Sequence, residues 1–372
     1  MTLFSFFRIE FSILGIVAVT YVFPVIAALC YKEYSVLPSF LIPMAAAIFF
    51  ALVFFVAGRK KKIALSTRGA FVVVAFAWIF ASSFGALPLY FSRAIPRFID
   101  ALWESVSGFT TTGATILGDV ESLPNSINLW RAETHWLGGM GIVALTVALF
   151  PLLGVGGFQL IKAETTGPEK GKFTPKITNT AKALWTIYIL FTCLELVLLK
   201  IAGMSFFDAA LHSFSTVGSG GFSNKNASIG AYNSVAIDAI CTVFMFLAGI
   251  NFTLYFYLLS GKIQEIRDNT EFKVYIALIF VFVLGITFAN LRHYGDFFHS
   301  LRFSSFQAAA IISTTGFATA DYTFWAPLAQ AFIFFLFFTG GCSGSTSGGV
   351  KIIRWVVFAK QAVGRAYVSN HA

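Results

Sequence analysis

GFTTTGATIL, from Gly108 to Leu117, contains no general base, no activated nucleophile and no strong metal ligand. Similar signals return at STVGSGGFS (Ser215–Ser223) and STTGFATA (Ser313–Ala320), each behind a short stretch of helical character. Asp100 stands 13 residues before Gly113, and Asp208 stands 13 residues before Gly221. Asp is a good helix N-cap, because its carboxylate accepts free backbone N–H groups. Phe303 occupies that spacing before Gly316, so Ser304 or Ser305 is the expected cap of the third segment. A period near 100 residues is too long for a solenoid. It fits internal duplication around an axis.

What surrounds these turns is apolar. The chain has 372 residues, 57% hydrophobic and 12% charged, with a mean hydropathy of +0.79. Soluble domains carry about a quarter charged residues, so the composition predicts an all-α polytopic membrane protein with lipid as its surroundings. A spanning helix needs about 20 mostly apolar residues. Candidates are Phe11–Cys30, Ser39–Ala57, Ala70–Phe91, Asn128–Leu152, Ala183–Ile201, Val235–Leu259, Val274–Ala289 and Trp325–Phe338, the last resuming at Val350–Ala359. No small-residue cleavage site follows the first, which therefore reads as a retained span and not a signal peptide.

Cys30, Cys193, Cys241 and Cys342 form no CxxC pair, and the histidines lack zinc spacing. Most of the 26 Lys and Arg residues fall at Arg8 and in the segments Arg59–Arg68, Lys162–Lys182, Lys262–Lys273 and Lys351–Arg365. If the threonine-glycine segments re-enter from outside without crossing, these segments share one face and the amino terminus is cytoplasmic. The net charge of +9 then reflects topology. Nucleic-acid binding is the poorer account, since the basic residues are dispersed among loops.

Non-helical backbone at membrane depth is tolerated only where it is buried or lines a watery path. A short helix followed by an extended return can turn successive carbonyl oxygens toward an axis, and glycine permits the required backbone angles. Rings of carbonyls can replace the hydration shell of a potassium ion. Thr216-Val217-Gly218-Ser219-Gly220 looks like the TVGYG of such filters, whereas the spacing from Asp208 aligns Gly221 with Gly113 and Gly316. The spacing is preferred, leaving the second register open by a residue or two. A single turn would read as a polar connection or a small-residue helix contact; three at matched positions, each after a helix too short to span, argue against that.

FTTTGATIL, LWRAETHWLGGMGIV, FSTVGSGGFS, STTGFATA and GGCSGSTSGGVKIIR together resemble the membrane subunit of Trk/Ktr/HKT-type potassium transporters, the Trk branch in particular. The resemblance runs from the first helix to about Arg354. It implies helix–pore loop–helix units around a pseudo-fourfold pore, with two extra N-terminal helices. The corresponding divisions are 1–62 for those helices, 63–165, 166–262 and 263–360 for three pore-loop units, and 361–372 for a tail. It also implies that Thr111, Thr112 and Gly113, then Ser219, Gly220 and Gly221, then Thr314, Thr315 and Gly316 line a potassium filter. Potassium would be substrate, with no cofactor in this chain. The implied setting is a multi-pass protein of the cell inner membrane, a homodimer meeting a ring of cytosolic nucleotide-binding regulatory subunits.

Half of the residues from Gly340 to Gly349 are glycine, between two apolar segments. Each interior glycine disfavours helix by about 1 kcal/mol relative to alanine, so the span is predicted to break within the membrane. No GK[ST] follows, which excludes a Walker A loop. A flexible cytoplasmic linker is the plain alternative. By resemblance this is an intramembrane gate, with Gly340, Gly341, Ser343, Gly344, Ser345, Thr346, Gly348 and Gly349 obstructing or lining the path, together with the Ser347 hydroxyl.

Arg131 and Glu133 are expected either to pair and brace the first pore loop or to be ordinary interfacial charges. Gly138, Gly139 and Gly141 suggest close helix packing. The family has four filters and three are found, so a fourth unit is expected to be missing and the chain alone to be a poor conductor. The competing classes are a secondary transporter of another small solute, with Glu104 or Glu195 as coupling carboxylate, and an incomplete, non-conducting fragment. No Ser/His/Asp or HExxH arrangement supports an enzyme.

Overall fold

The computed structural model describes residues 2–59, 67–141 and 177–369. The expected basic segment within 60–66, the second half of the Asn128–Leu152 span and most of the Lys162–Lys182 loop lie outside these residues. The described part is helical: α1 Leu3–Thr20, α2 Val22–Cys30, α3 Leu37–Gly58, α4 Thr67–Phe91, α5 Phe98–Phe109, α6 Asn125–Gly139, α7 Ile177–Ile201, α8 Phe206–Val217, α9 Val235–Ala248, α10 Phe252–Leu259, α11 Thr270–Ala289, α12 Phe297–Ile312, α13 Pro327–Leu336 and α14 Ile352–Ser369. Among the described residues there is no strand.

Among the described residues, five segments are long and apolar enough to cross a membrane: Leu3–Cys30, Leu37–Gly58, Arg68–Phe91, Ala181–Ile201 and Thr270–Ala289. In none of them is more than 44% of the most apolar stretch buried. Their outer faces are therefore apolar and exposed, with Phe49, Phe280 and Val56 pointing outward. That surface suits lipid, and the all-α membrane fold follows.

The first span starts earlier than Phe11 because its two charges are accommodated inside. Arg8 and Glu10 are buried, and Arg8 Nη1 donates to Gly58 O at 2.7 Å. Tyr21, at the joint between α1 and α2, is fully buried and donates to Phe84 O at 3.0 Å. It stacks on Phe84 and meets Trp130 edge-on, while Trp130 Nε1 donates to Gly85 O at 2.9 Å. The N-terminal helices thus pack directly against the first pore unit.

Each pore helix follows a long apolar helix: α5 after α4, α8 after α7, α12 after α11. The expected caps need correction. Helix α8 begins at Phe206 and is capped by Ser205, whose Oγ accepts from Asp208 N at 3.0 Å. Asp100 and Asp208 lie in the first turn, where a negative charge also favours a helix N-terminus. Helix α12 is longer than its counterparts and is capped by Asp296, whose Oδ2 accepts from His299 N at 2.9 Å. Ser304 and Ser305 sit in mid-helix.

Val235–Leu259 is not one straight helix. Helices α9 and α10 meet at 92° across Gly249–Asn251. Gly249 closes α9 and the Asn251 side chain caps α10 by accepting from Thr253 N at 2.8 Å. The final span breaks as expected, α13 ending at Leu336 and α14 starting at Ile352.

Close glycine contacts seat α5 on α6. A side-chain carbon on Gly138 would overlap Phe109 O, and one on Gly108 would overlap Thr134 Oγ1. Gly138→Ala should therefore cost about 1–3 kcal/mol through overpacking. Thermal unfolding in detergent checks this; an unchanged midpoint would contradict the close crossing.

Candidate functional site

The three turns share one backbone pattern. Thr111, Ser219 and Thr314 have φ of 54°, 56° and 57°, and two residues later Gly113, Gly221 and Gly316 have φ of 73°, 83° and 80°. Non-glycine residues seldom enter this left-handed region, and such strain concentrates at functional sites. Hydrogen bonds close the first two helices identically. Thr111 N donates to Gly108 O and Thr112 N to Ser107 O; Ser219 N donates to Thr216 O and Gly220 N to Ser215 O, all at 2.9 Å. This is a Schellman closure. In the third unit Thr314 N donates to Ile311 O, but Gly316 N, one residue further on, reaches Ala310 O, each at 3.0 Å.

The pattern decides the second register. Thr216 and Val217 still belong to α8, and Gly218 is right-handed at φ −72°. In backbone conformation Ser219-Gly220-Gly221, the register preferred from the spacing, corresponds to the other two turns. Backbones of neighbouring turns also meet. A side-chain carbon on Gly113 would overlap Gly220 O, and one on Gly221 would overlap Thr315 O. At Gly316 it would meet nothing within 4 Å.

The middle residues differ for a visible reason. In the first and third turns the Thr112 and Thr315 hydroxyls bond to Thr110 and Ser313, at 2.8 and 2.7 Å. The second turn has Gly218 and Gly220 at these positions, and His135 of α6 fills the space. Its carbonyl abuts Gly218 and its ring abuts Gly220, so that a side-chain carbon on either would clash. Phe222 N donates to His135 Nδ1 at 3.3 Å, and the two rings stack at 4.0 Å.

Behind the first turn lies a buried ion pair. Arg131 Nε donates to Glu104 Oε1 at 2.9 Å, and Nη2 lies 2.9 Å from the same oxygen. Glu104 also accepts from Thr115 Oγ1 at 2.8 Å and Ile116 N at 3.1 Å. Arg131 lies over the Phe222 ring at 4.2 Å and donates to Asn128 Oδ1 at 3.1 Å. It thus ties the first pore helix, the return strand of that loop and the second loop together. The expected Arg131–Glu133 pair does not form. Residues two apart on a helix point to different sides, and Glu133 turns instead toward Thr20 and Tyr21.

The second turn has its own brace. Asn224 Nδ2 donates to Asp208 Oδ1 at 2.6 Å, and His212 Nε2 lies 2.9 Å from Ser223 Oγ. At the outer ends of the loops, Asn226 Nδ2 donates to Asp119 Oδ1 at 2.8 Å and Val120 N donates to Asn226 Oδ1 at 2.8 Å. The Asn226 amide and the Glu121 N–H hold the Asp119 carboxyl below the usual carboxylate range. Asp321 is likewise lowered by the Thr323 hydroxyl and N–H. Both are anionic near the loop mouths at neutral pH.

Gly340–Gly349 is a docked loop and not a free linker. Cys342 N donates to Gly249 O at 2.8 Å, and Phe252 N donates to Gly344 O at 3.0 Å. The loop therefore satisfies the backbone groups released where α9 breaks from α10. It also reaches the turns: Thr346 Oγ1 lies 2.8 Å from Ser219 Oγ, and Gly348 N donates to Thr314 Oγ1 at 2.6 Å. Gly340 and Gly341 leave no room for a side chain against Gly348 O and Gly249 O.

The TrkH cation transport protein family model matches residues 37–291 and 296–371. This chain belongs to that family. It is 37% identical over 368 residues to the Trk system potassium uptake protein TrkH of Halomonas elongata, covering 98% of this chain and 76% of that one. To the Escherichia coli K12 protein of the same name it is 42% identical over 309 residues, 82% of this chain and 64% of the relative. The crystal structure of the potassium transporter TrkH from Vibrio parahaemolyticus matches with a TM-score of 0.86 at 34% identity, covering all of this chain and 77% of that one. This chain therefore spans roughly two thirds to three quarters of the length of these relatives.

In this TrkH-family chain the Glu104–Arg131 pair escaped a reading by local spacing because its partners are 27 residues apart on different helices. The break at Gly249 carried a signal, glycine and asparagine in AGINF being a C-cap and an N-cap side by side. Removing one member of a buried pair typically costs about 3–5 kcal/mol. Arg131→Met alone should destabilise by that order, and adding Glu104→Gln should recover part of the loss. Thermal unfolding of the two variants checks it; equal midpoints for Arg131→Met and the double variant would deny the coupling.

Proposed function

We propose that this chain moves potassium ions across a cell membrane through a filter of backbone carbonyls. The carrying observation is the threefold left-handed pattern at Thr111/Gly113, Ser219/Gly221 and Thr314/Gly316, with neighbouring turns in contact through Gly220 O and Thr315 O. The names of the relatives, potassium uptake proteins, support the choice of ion.

The filter residues are Thr111–Gly113, Ser219–Gly221 and Thr314–Gly316. Potassium is the substrate, coordinated by oxygen in place of its hydration water. The gate is the loop from Gly340 to Gly349, beneath the filter, and the units divide at 63–165, 166–262 and 263–360. The function is transport and not catalysis. Glu104 is committed to Arg131, which argues against its use as a coupling carboxylate. The basic segments favour a cytoplasmic amino terminus and the cell inner membrane. A homodimer with a cytosolic nucleotide-binding regulatory ring is the proposed assembly.

Substitution of the filter glycines by serine should lower the potassium-to-sodium permeability ratio, but unequally. Gly113→Ser and Gly221→Ser combine positive-φ strain with overlap on a facing carbonyl, whereas Gly316→Ser carries the strain alone. The larger losses are expected at Gly113 and Gly221. Ion flux into proteoliposomes containing the assembled transporter measures the ratios. Ratios unchanged in all three variants would sink the filter assignment.

A further inference from the structure

Glu271 lies far from the filter in sequence, in the first turn of α11, yet it is 2% exposed. The Asn269 side chain already caps this helix by accepting from Phe272 N at 2.8 Å. The Glu271 carboxylate meets other donors, and one oxygen receives two. Oε1 accepts from Ser343 N at 2.7 Å and from Ile353 N at 3.0 Å. These two N–H groups stand at opposite ends of the glycine-rich loop. Ile353 lies in the first turn of α14, where the orphan N–H groups and the helix dipole both favour an anion.

We propose that Glu271 is a positioning residue that clasps the Gly340–Gly349 loop in its docked position and couples it to α14. The inference rests on the reading of that loop as the gate. The loop is held on its filter side by the Ser219 and Thr314 hydroxyls, through Thr346 and Gly348. Glu271 supplies the opposite hold and joins the two stems. Lys351 tightens the same stem by donating to Ser347 O within the loop. A displacement of α14 that carries the Glu271 carboxylate with Ile353 N would draw the same oxygen away from Ser343 N, because both donors share it. The loop could then leave the break between α9 and α10 without any change in the filter turns.

Native cysteines give a direct test. Cys342 is in the loop and 1% exposed, Cys241 is fully buried in α9, and Cys30 and Cys193 are exposed. With Cys30 and Cys193 replaced by serine, the rate of N-ethylmaleimide labelling is followed by mass spectrometry in membranes holding the full chain. A hydrogen bond to a charged group is worth about tenfold or more in an equilibrium constant. Glu271→Ala should therefore label Cys342 about tenfold to a hundredfold faster while Cys241 stays protected. Glu271→Gln, which keeps an oxygen acceptor of the same reach, should give a smaller increase.

Cys342 remaining protected in folded Glu271→Ala would overturn the clasp. If Cys241 and Cys342 become reactive together in both variants, Glu271 serves the fold as a whole and the clasp is likewise overturned. Flux separates this inference from the reading beneath it. Unmasked Cys342 with raised basal potassium flux and an unchanged potassium-to-sodium ratio supports both. Unmasked Cys342 with unaltered flux leaves the clasp standing and rejects the loop as the gate.

Discussion

Backbone that leaves the helix inside a membrane must find its hydrogen bonds within the protein, since lipid offers none and each orphan group costs several kcal/mol. The loops and helix breaks described above answer that constraint. The Glu104 carboxylate takes the Ile116 N–H just beyond the first turn, and Arg131 neutralises its charge while reaching toward the second loop. A buried ion pair is weak evidence for net stability. Its value here is geometric, because it sets two irregular loops against one another at a fixed distance.

The same economy governs the two helix breaks. The break of α9 from α10 and the break of α13 from α14 each leave backbone groups without helical partners. They are brought together, so that Gly249 O meets Cys342 N and Phe252 N meets Gly344 O. One broken span completes the other. The glycines at Gly340 and Gly341 permit backbones to approach at distances a side chain would prevent. The docked loop then touches the left-handed residues Ser219 and Thr314, which places the second and third turns and the loop in one hydrogen-bonded assembly.

Repetition of the pore unit does not mean identity of its parts. The first turn is braced by an ion pair, the second by His135 and the His212–Ser223 contact, and the third by a longer pore helix capped at Asp296. The backbone conformations at the three turns nonetheless agree within about ten degrees. The shared element is the left-handed geometry, and side chains from different helices reach it by different routes.

Composition, hydrophobic length and the threonine-glycine spacing were enough to read a polytopic helical membrane protein with three re-entrant turns and a glycine-rich break. These are local properties: a span is as long as its apolar run, and a left-handed turn asks for glycine wherever it occurs. The pairing of Glu104 with Arg131 and the docking of the Gly340–Gly349 loop at the Gly249 bend needed the tertiary structure. Each depends on a neighbour distant in sequence. Arg131 chose Glu104 over Glu133 because a helix turns residues two apart away from each other, and no spacing along the chain says what stands opposite. Likewise Gly218 and Gly220 are glycine because His135 occupies the space beside them, which only the packed helices put there.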